Sequence, residues 1–170
     1  MKSQSIYLLH GMHGSPKGTV AKIQAELEPL NPGVEFVRPM LPCHDPNIPA
    51  VETVNFLEKL EIPKNTIIIG VSLGGLAAAK LQEESRPDLH VICLNSPTRS
   101  REGDVELYKK MPNRIVFYSS NDEVITGRVE AWPKLAEAHD LAWLTHDPDD
   151  NLDKLTKLFQ KYIDYEKRDN

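Results

Sequence analysis

An α/β domain, with a mostly parallel six-stranded sheet and helices on both faces, is what this sequence predicts, and three observations predict it. Short apolar, β-branched segments alternate along the chain with amphipathic, helix-prone ones. That is the pattern of βαβ units, and the right-handed crossover rule then places helices on both faces of a parallel sheet. The chain has 170 residues, the size of one domain with a substantial core. Finally, an apolar strand beginning at Thr66 runs through Gly70-Val71-Ser72-Leu73-Gly74-Gly75 into an alanine-rich helix, a junction that parallel α/β sheets use to present a side chain at the carboxyl edge of the sheet.

Taken in order, the first strand spans 5–9 and ends in the turn His10-Gly11-Met12-His13-Gly14. A helix over 18–27 leads to a second strand at 34–37. Proline is dense from Pro29 to Pro49, so Arg38-Pro39-Met40-Leu41-Pro42 reads as part of a long loop leaving that strand. A helix over 50–60 precedes the third strand, 66–71, where Ile67, Ile68 and Ile69 have the composition of a buried strand. The helix at 73–84 is followed by strands at 90–94 and 114–119, joined by a short lid-like connection over 95–113. A helix over 127–138, a sixth strand over 141–144 and a helix over 151–165 complete the alternation, and the polar stretch 166–170 is expected to fray. No internal repeat and no low-complexity linker divides the chain, so a single domain over 1–170 is expected.

Composition narrows the partner class. Twenty basic residues against 25 acidic ones give a net charge of −5, and neither sign forms a long block. This argues against nucleic acid or an anionic membrane and leaves a small molecule as the expected partner. Cys43 and Cys93 are far apart and outside any C-x-x-C spacing, as befits reduced thiols; Cys93 reads as a buried strand residue. The N-terminus has too short an apolar run for a secretory signal, and no window has the length of a membrane span. A cytoplasmic location is the resulting expectation. Oligomeric state has no signature in the sequence.

The chemistry centres on Ser72. A serine at such an elbow sits in a strained turn with its hydroxyl beyond the sheet edge, while Gly70 and Gly74 make room for the neighbouring backbone. Serine is a poor nucleophile without a general base, and the base needs an acid to hold its tautomer. Of six histidines, His146 alone follows the last strand expected and precedes the final helix, which makes it the candidate base. Asp122, just beyond the strand over 114–119, is the candidate acid. The order Ser72, Asp122, His146 is that of α/β hydrolases, distinct from the chymotrypsin and subtilisin orders. An oxyanion hole needs backbone donors: Leu73 N–H supplies one and Met12 N–H, in the turn after the first strand, the other. His10 reads as a residue that shapes this turn. Leu41, Pro97 and Ile125, together with Met12, Leu73 and Pro148, lie near strand ends and are either an apolar acyl groove or packing residues.

His10-Gly11-x-x-Gly14, Gly70-x-Ser72-x-Gly74-Gly75, Asp122 and His146 resemble the serine α/β-hydrolase superfamily. More narrowly, the stretch from His10 to Lys17, Arg38-Pro39-Met40-Leu41-Pro42 and Asn95-Ser96-Pro97 are similar to small, nearly lidless bacterial esterases of the YqiA-like kind. The resemblance runs from about Ile6 past His146. It implies a doubly wound, minimal α/β-hydrolase sheet lacking the first two strands of larger members, and hydrolysis of short acyl esters without metal or organic cofactor. The chain departs from the family pattern in the histidine loop, Leu144-Thr145-His146-Asp147-Pro148, which has no glycine. With fewer than twenty residues where larger relatives insert a lid, an open site is expected. The expected reaction is cleavage of short-chain carboxylic esters through an acyl-enzyme. A thioesterase or peptidase with the same triad, a silent hydrolase-fold binding module, and a flavodoxin-like phosphate or nucleotide binder are the alternatives.

Overall fold

The computed structural model describes residues 4–168. Six strands, β1 (Ser5–Leu9), β2 (Glu35–Val37), β3 (Ile67–Val71), β4 (His90–Leu94), β5 (Arg114–Tyr118) and β6 (Glu137–Asp140), form one sheet in the order β2-β1-β3-β4-β5-β6. Every pairing is parallel. Four helices cover it: α1 (Thr19–Leu27), α2 (Ala50–Lys59), α3 (Leu73–Glu84) and α4 (Leu152–Arg168). Because side chains alternate along a strand, each central strand feeds two cores. In β4, Val91 and Cys93 point into the core shared with α2 and α3, while Ile92 and Leu94 join the core with α1 and α4. The helices show the matching period. Val20, Ile23 and Leu27 are the buried side of α1, and Leu152, Leu155, Phe159 and Ile163 are that of α4. Both faces of the sheet are therefore dry, and this is a doubly wound α/β fold.

Two expected elements differ. The sixth strand is Glu137–Asp140, not 141–144, and 127–138 is not a helix. It runs through successive tight turns to a 3₁₀ turn at Trp132–Lys134 and then into β6. Pro133 has no N–H to continue an α-helix and disfavours helical backbone at the residue before it. Trp132 meanwhile is fully buried and donates its indole N–H to the Ser96 carbonyl at 2.8 Å. Leu141 and Leu144 close a turn and pack toward α4, which is why their apolar character resembles a strand. The polar end expected to fray is helical through Arg168, with Glu166 2.8 Å from His90 Nδ1; residues 169–170 lie outside the described residues. Among the described residues no helix is long and apolar enough to cross a membrane.

The 95–113 connection does not stand away from the sheet as a cap. Val105 and Leu107 are core residues, and Arg99 and Glu106 form an antiparallel bridge. Thr98 and Leu107 exchange with neighbouring backbone: Thr98 N–H donates to Arg128 O at 2.7 Å and Leu107 N–H to Thr98 O at 3.0 Å. Pro97, Ser100, Arg101, Glu102 and Asp104 of this connection form part of a cleft at the carboxyl edge of the sheet.

Candidate active site

Ser72 has φ 52° and ψ −121° between β3 and α3, a left-handed backbone that a serine adopts only when the surroundings hold it there. They do. The Ser72 N–H donates to the Leu94 carbonyl at 2.8 Å, tying the elbow to β4. The chain must also pass close to β1: a β-carbon on Gly74 would lie 2.5 Å from the His10 carbonyl oxygen, so only glycine permits this approach. The motif is thus a packing solution as much as a chemical one.

The other two residues meet Ser72 from distant loops. His146 Nε2 is 3.5 Å from Ser72 Oγ, and His146 Nδ1 donates to Asp122 Oδ2 at 2.7 Å. The Asp122 carboxylate is buried, and its other oxygen accepts from Val124 N–H at 2.9 Å, so the loop after β5 fixes its orientation. With Nδ1 committed as donor, Nε2 is left as an acceptor facing the hydroxyl, which is the tautomer a general base requires. The 3.5 Å separation is of the loose kind seen before substrate tightens such a site.

The glycine-free histidine loop is held by a residue that sequence reading assigned no role. Asn95, immediately after β4 and fully buried, donates from Nδ2 to the carbonyls of Thr145 at 2.8 Å and His146 at 2.9 Å. Its backbone is left-handed at φ 52°, a conformation asparagine tolerates better than other residues with a β-carbon. The signal that could have found it is its place at the carboxyl end of a central strand beside the elbow.

Neither Met12 N–H nor Leu73 N–H donates to any group among the described residues, and both residues line the cleft that holds Ser72 and His146. Met12 is placed by the turn before it. His10 is buried, its Nδ1 donating to the Gly11 carbonyl at 2.8 Å and its Nε2 accepting from Leu41 N–H at 2.9 Å. Burial above all pulls its pKa below the ordinary histidine value, and the charge of His44 adds to this against the Gly11 hydrogen bond. Each nitrogen is used as the neutral ring requires, so His10 shapes the loop and has no free nitrogen for proton transfer.

The cleft has a volume of about 590 Å³. Pro97 and Ile125 line it, with Met12 and Leu73. Leu41 does not, and its expected substrate contact is corrected: it is 0 % exposed, packed in the core with α2 and α3, and serves the site only through the N–H that holds His10. Cys43 and Cys93 are buried thiols, pushed by burial up to about 11 and about 12, which keeps them protonated and unreactive.

The geometry has counterparts. The model of an uncharacterised protein family, UPF0227, matches residues 4–102. No curated protein matches the chain. Among solved structures, Est1E from Butyrivibrio proteoclasticus, seen with ferulic acid bound, superposes with a TM-score of 0.70 at 15 % identity, over 96 % of this chain and 89 % of that one. The ydeN gene product of B. subtilis gives 0.73 at 14 % identity, over 95 % and 99 %. MGS-MChE2, an alpha/beta hydrolase enzyme from a lagoon-sediment metagenome, gives 0.70 at 16 % identity, over 99 % and 93 %. At these identities the likeness is one of fold.

Proposed function

We propose that this chain, which belongs to the UPF0227 family, is a serine hydrolase that cleaves short-chain carboxylic esters through an acyl-enzyme. The observation that carries the reading is the relay from Asp122 through His146 to Ser72, with contacts of 2.7 Å and 3.5 Å. Ser72 Oγ attacks the ester carbonyl while His146 Nε2 takes its proton. Negative charge develops on the carbonyl oxygen, and the N–H groups of Met12 and Leu73 are the donors available to meet it. His146 then returns the proton to the departing alcohol. Water, activated by the same histidine, releases the acid and restores Ser72. Asp122 orients the ring and stabilises the imidazolium through the Nδ1 hydrogen bond. The uncapped cleft and its small apolar walls at Pro97 and Ile125 favour short acyl groups.

Labelling with a fluorophosphonate, followed by an acyl-chain series of chromogenic esters, tests this reading. Stoichiometric modification of Ser72 and a preference for short chains are expected. Ser72→Ala should stay folded while losing label and about six orders of magnitude in kcat. Near-normal turnover by that variant would overturn the assignment.

A further inference from the structure

Arg101, from the 95–113 connection, and Arg128, from the loop after β5, line the same cleft as Ser72 and His146. Arg128 is partly buried and held in place: Nη1 donates to the Arg99 carbonyl at 3.2 Å and Nη2 to the Val124 carbonyl at 3.4 Å. Both acceptors are neutral. None of the ion pairs among the described residues involves Arg99, Arg101 or Arg128. Burial, then the like charges of Arg101 and Arg99, pull the Arg128 pKa below the ordinary arginine value, with Asp122 acting in the opposite sense.

The acids nearby are engaged or turned to other uses. Asp122 holds His146. Asp104 accepts from Val51 N–H at 2.9 Å, in the first turn of α2, and from the Ser100 hydroxyl at 2.7 Å. Glu102 is exposed and pairs with neither arginine. A partly desolvated guanidinium without a counter-charge is costly, whereas carboxylate and phosphate oxygens match its planar fork of donors.

We propose that the cleft selects esters bearing a second, anionic group, a carboxylate or phosphate, which Arg128 and Arg101 receive while Ser72 attacks the carbonyl. This rests on the serine-hydrolase reading above. It narrows the substrate class from short esters in general to charged ones, with the anion on either the acyl or the alcohol side.

Two matched pairs of aryl esters separate these sides: 4-nitrophenyl hydrogen glutarate against 4-nitrophenyl valerate, and 4-acetoxyphenyl phosphate against 4-methylphenyl acetate. In at least one pair kcat/KM should favour the anionic member by about tenfold, the factor one charge-assisted hydrogen bond supplies, through a lower KM. The preference should shrink at high salt and vanish in Arg128→Gln and Arg101→Glu. Arg101 is exposed, so its charge reversal carries the test even where the Arg128 variant does not fold. Turnover of the neutral esters with no anionic preference in either pair, or a preference that survives Arg101→Glu, overturns the proposal and leaves the hydrolase reading standing. No turnover of any ester together with no labelling of Ser72 removes both.

Discussion

Asn95 combines a left-handed backbone, full burial and two hydrogen bonds to the carbonyls that flank the candidate base. Its Oδ1 has no protein partner among the described residues, so the side chain is held from its Nδ2 end. By holding the Thr145 and His146 carbonyls, the amide fixes where His146 leaves the backbone, and so how Nε2 faces Ser72. Asn95→Gly separates the two contributions, because glycine keeps the left-handed φ and loses the donors. In the folded variant kcat should fall about ten- to a hundredfold with KM little changed, since displacements of an ångström at a reacting pair have effects of that size. A variant that is less stable yet keeps wild-type kcat would show that Asn95 acts on the fold alone.

At the scale of elements, what was readable in the sequence and what was not follow from burial. β3, β4 and β5 are covered on both faces, so their apolar runs mark them directly, and α1 and α2 announce themselves by the 3.6-residue period of Val20, Ile23 and Leu27 or of Val54 and Leu57. β6 is an exposed edge with the sequence Glu-Ala-His-Asp, so it has no apolar run, and the nearby Leu141 and Leu144 supplied a false one. Ser72 was legible because an elbow is local, and Asp122 and His146 because of their chain order. Asn95 and Arg128 were not, since their importance lies in contacts across 50 and 29 positions and neither residue type marks a nucleophile or a base.

The same burial argument applies to Arg114 at the start of β5, which is 0 % exposed. It donates to Gln82 at 3.0 Å, to the carbonyls of Lys109, Leu135 and Ala79, and lies 3.5 Å from Glu83, whose carboxylate in turn accepts from Tyr108 and Lys109 N–H. This cluster fastens α3, β5 and the end of the 95–113 connection together. Arg114→Met, which leaves the buried acceptors on Gln82, Lys109, Leu135 and Ala79 without this donor while Lys80 Nζ stays 3.3 Å from Glu83, should lower the unfolding free energy by about 3 kcal/mol in urea titrations. A loss below about 1 kcal/mol would show that Lys80 and the backbone donors hold the carboxylate without Arg114.

For the whole molecule, the joint between sheet and site sets an acid limit on folding. His10 leaves β1, holds the Gly11-Met12 turn and reaches across to Leu41 in its neutral form. Burial above all disfavours the charged ring and holds the folded pKa below the ordinary 6.5, and protonation would also put an N–H on Nε2 facing the Leu41 N–H. Between the folded and unfolded values the unfolded chain binds more protons. Stability from this residue is therefore complete above about 6.5 and is lost as pH falls through the folded pKa. The Arg86 guanidinium beside Asp88 holds that carboxyl down at about 2, so its contribution is present above 3.8 and fades only toward 2, a separate window. Unfolding free energy measured from pH 7.5 to 4.5 should thus decline below about 6.5 in the wild type. His10→Gln, which keeps a donor and an acceptor but cannot titrate, should start lower and slope less over the same range. Equal slopes in the two proteins would show that the acid limit is set elsewhere.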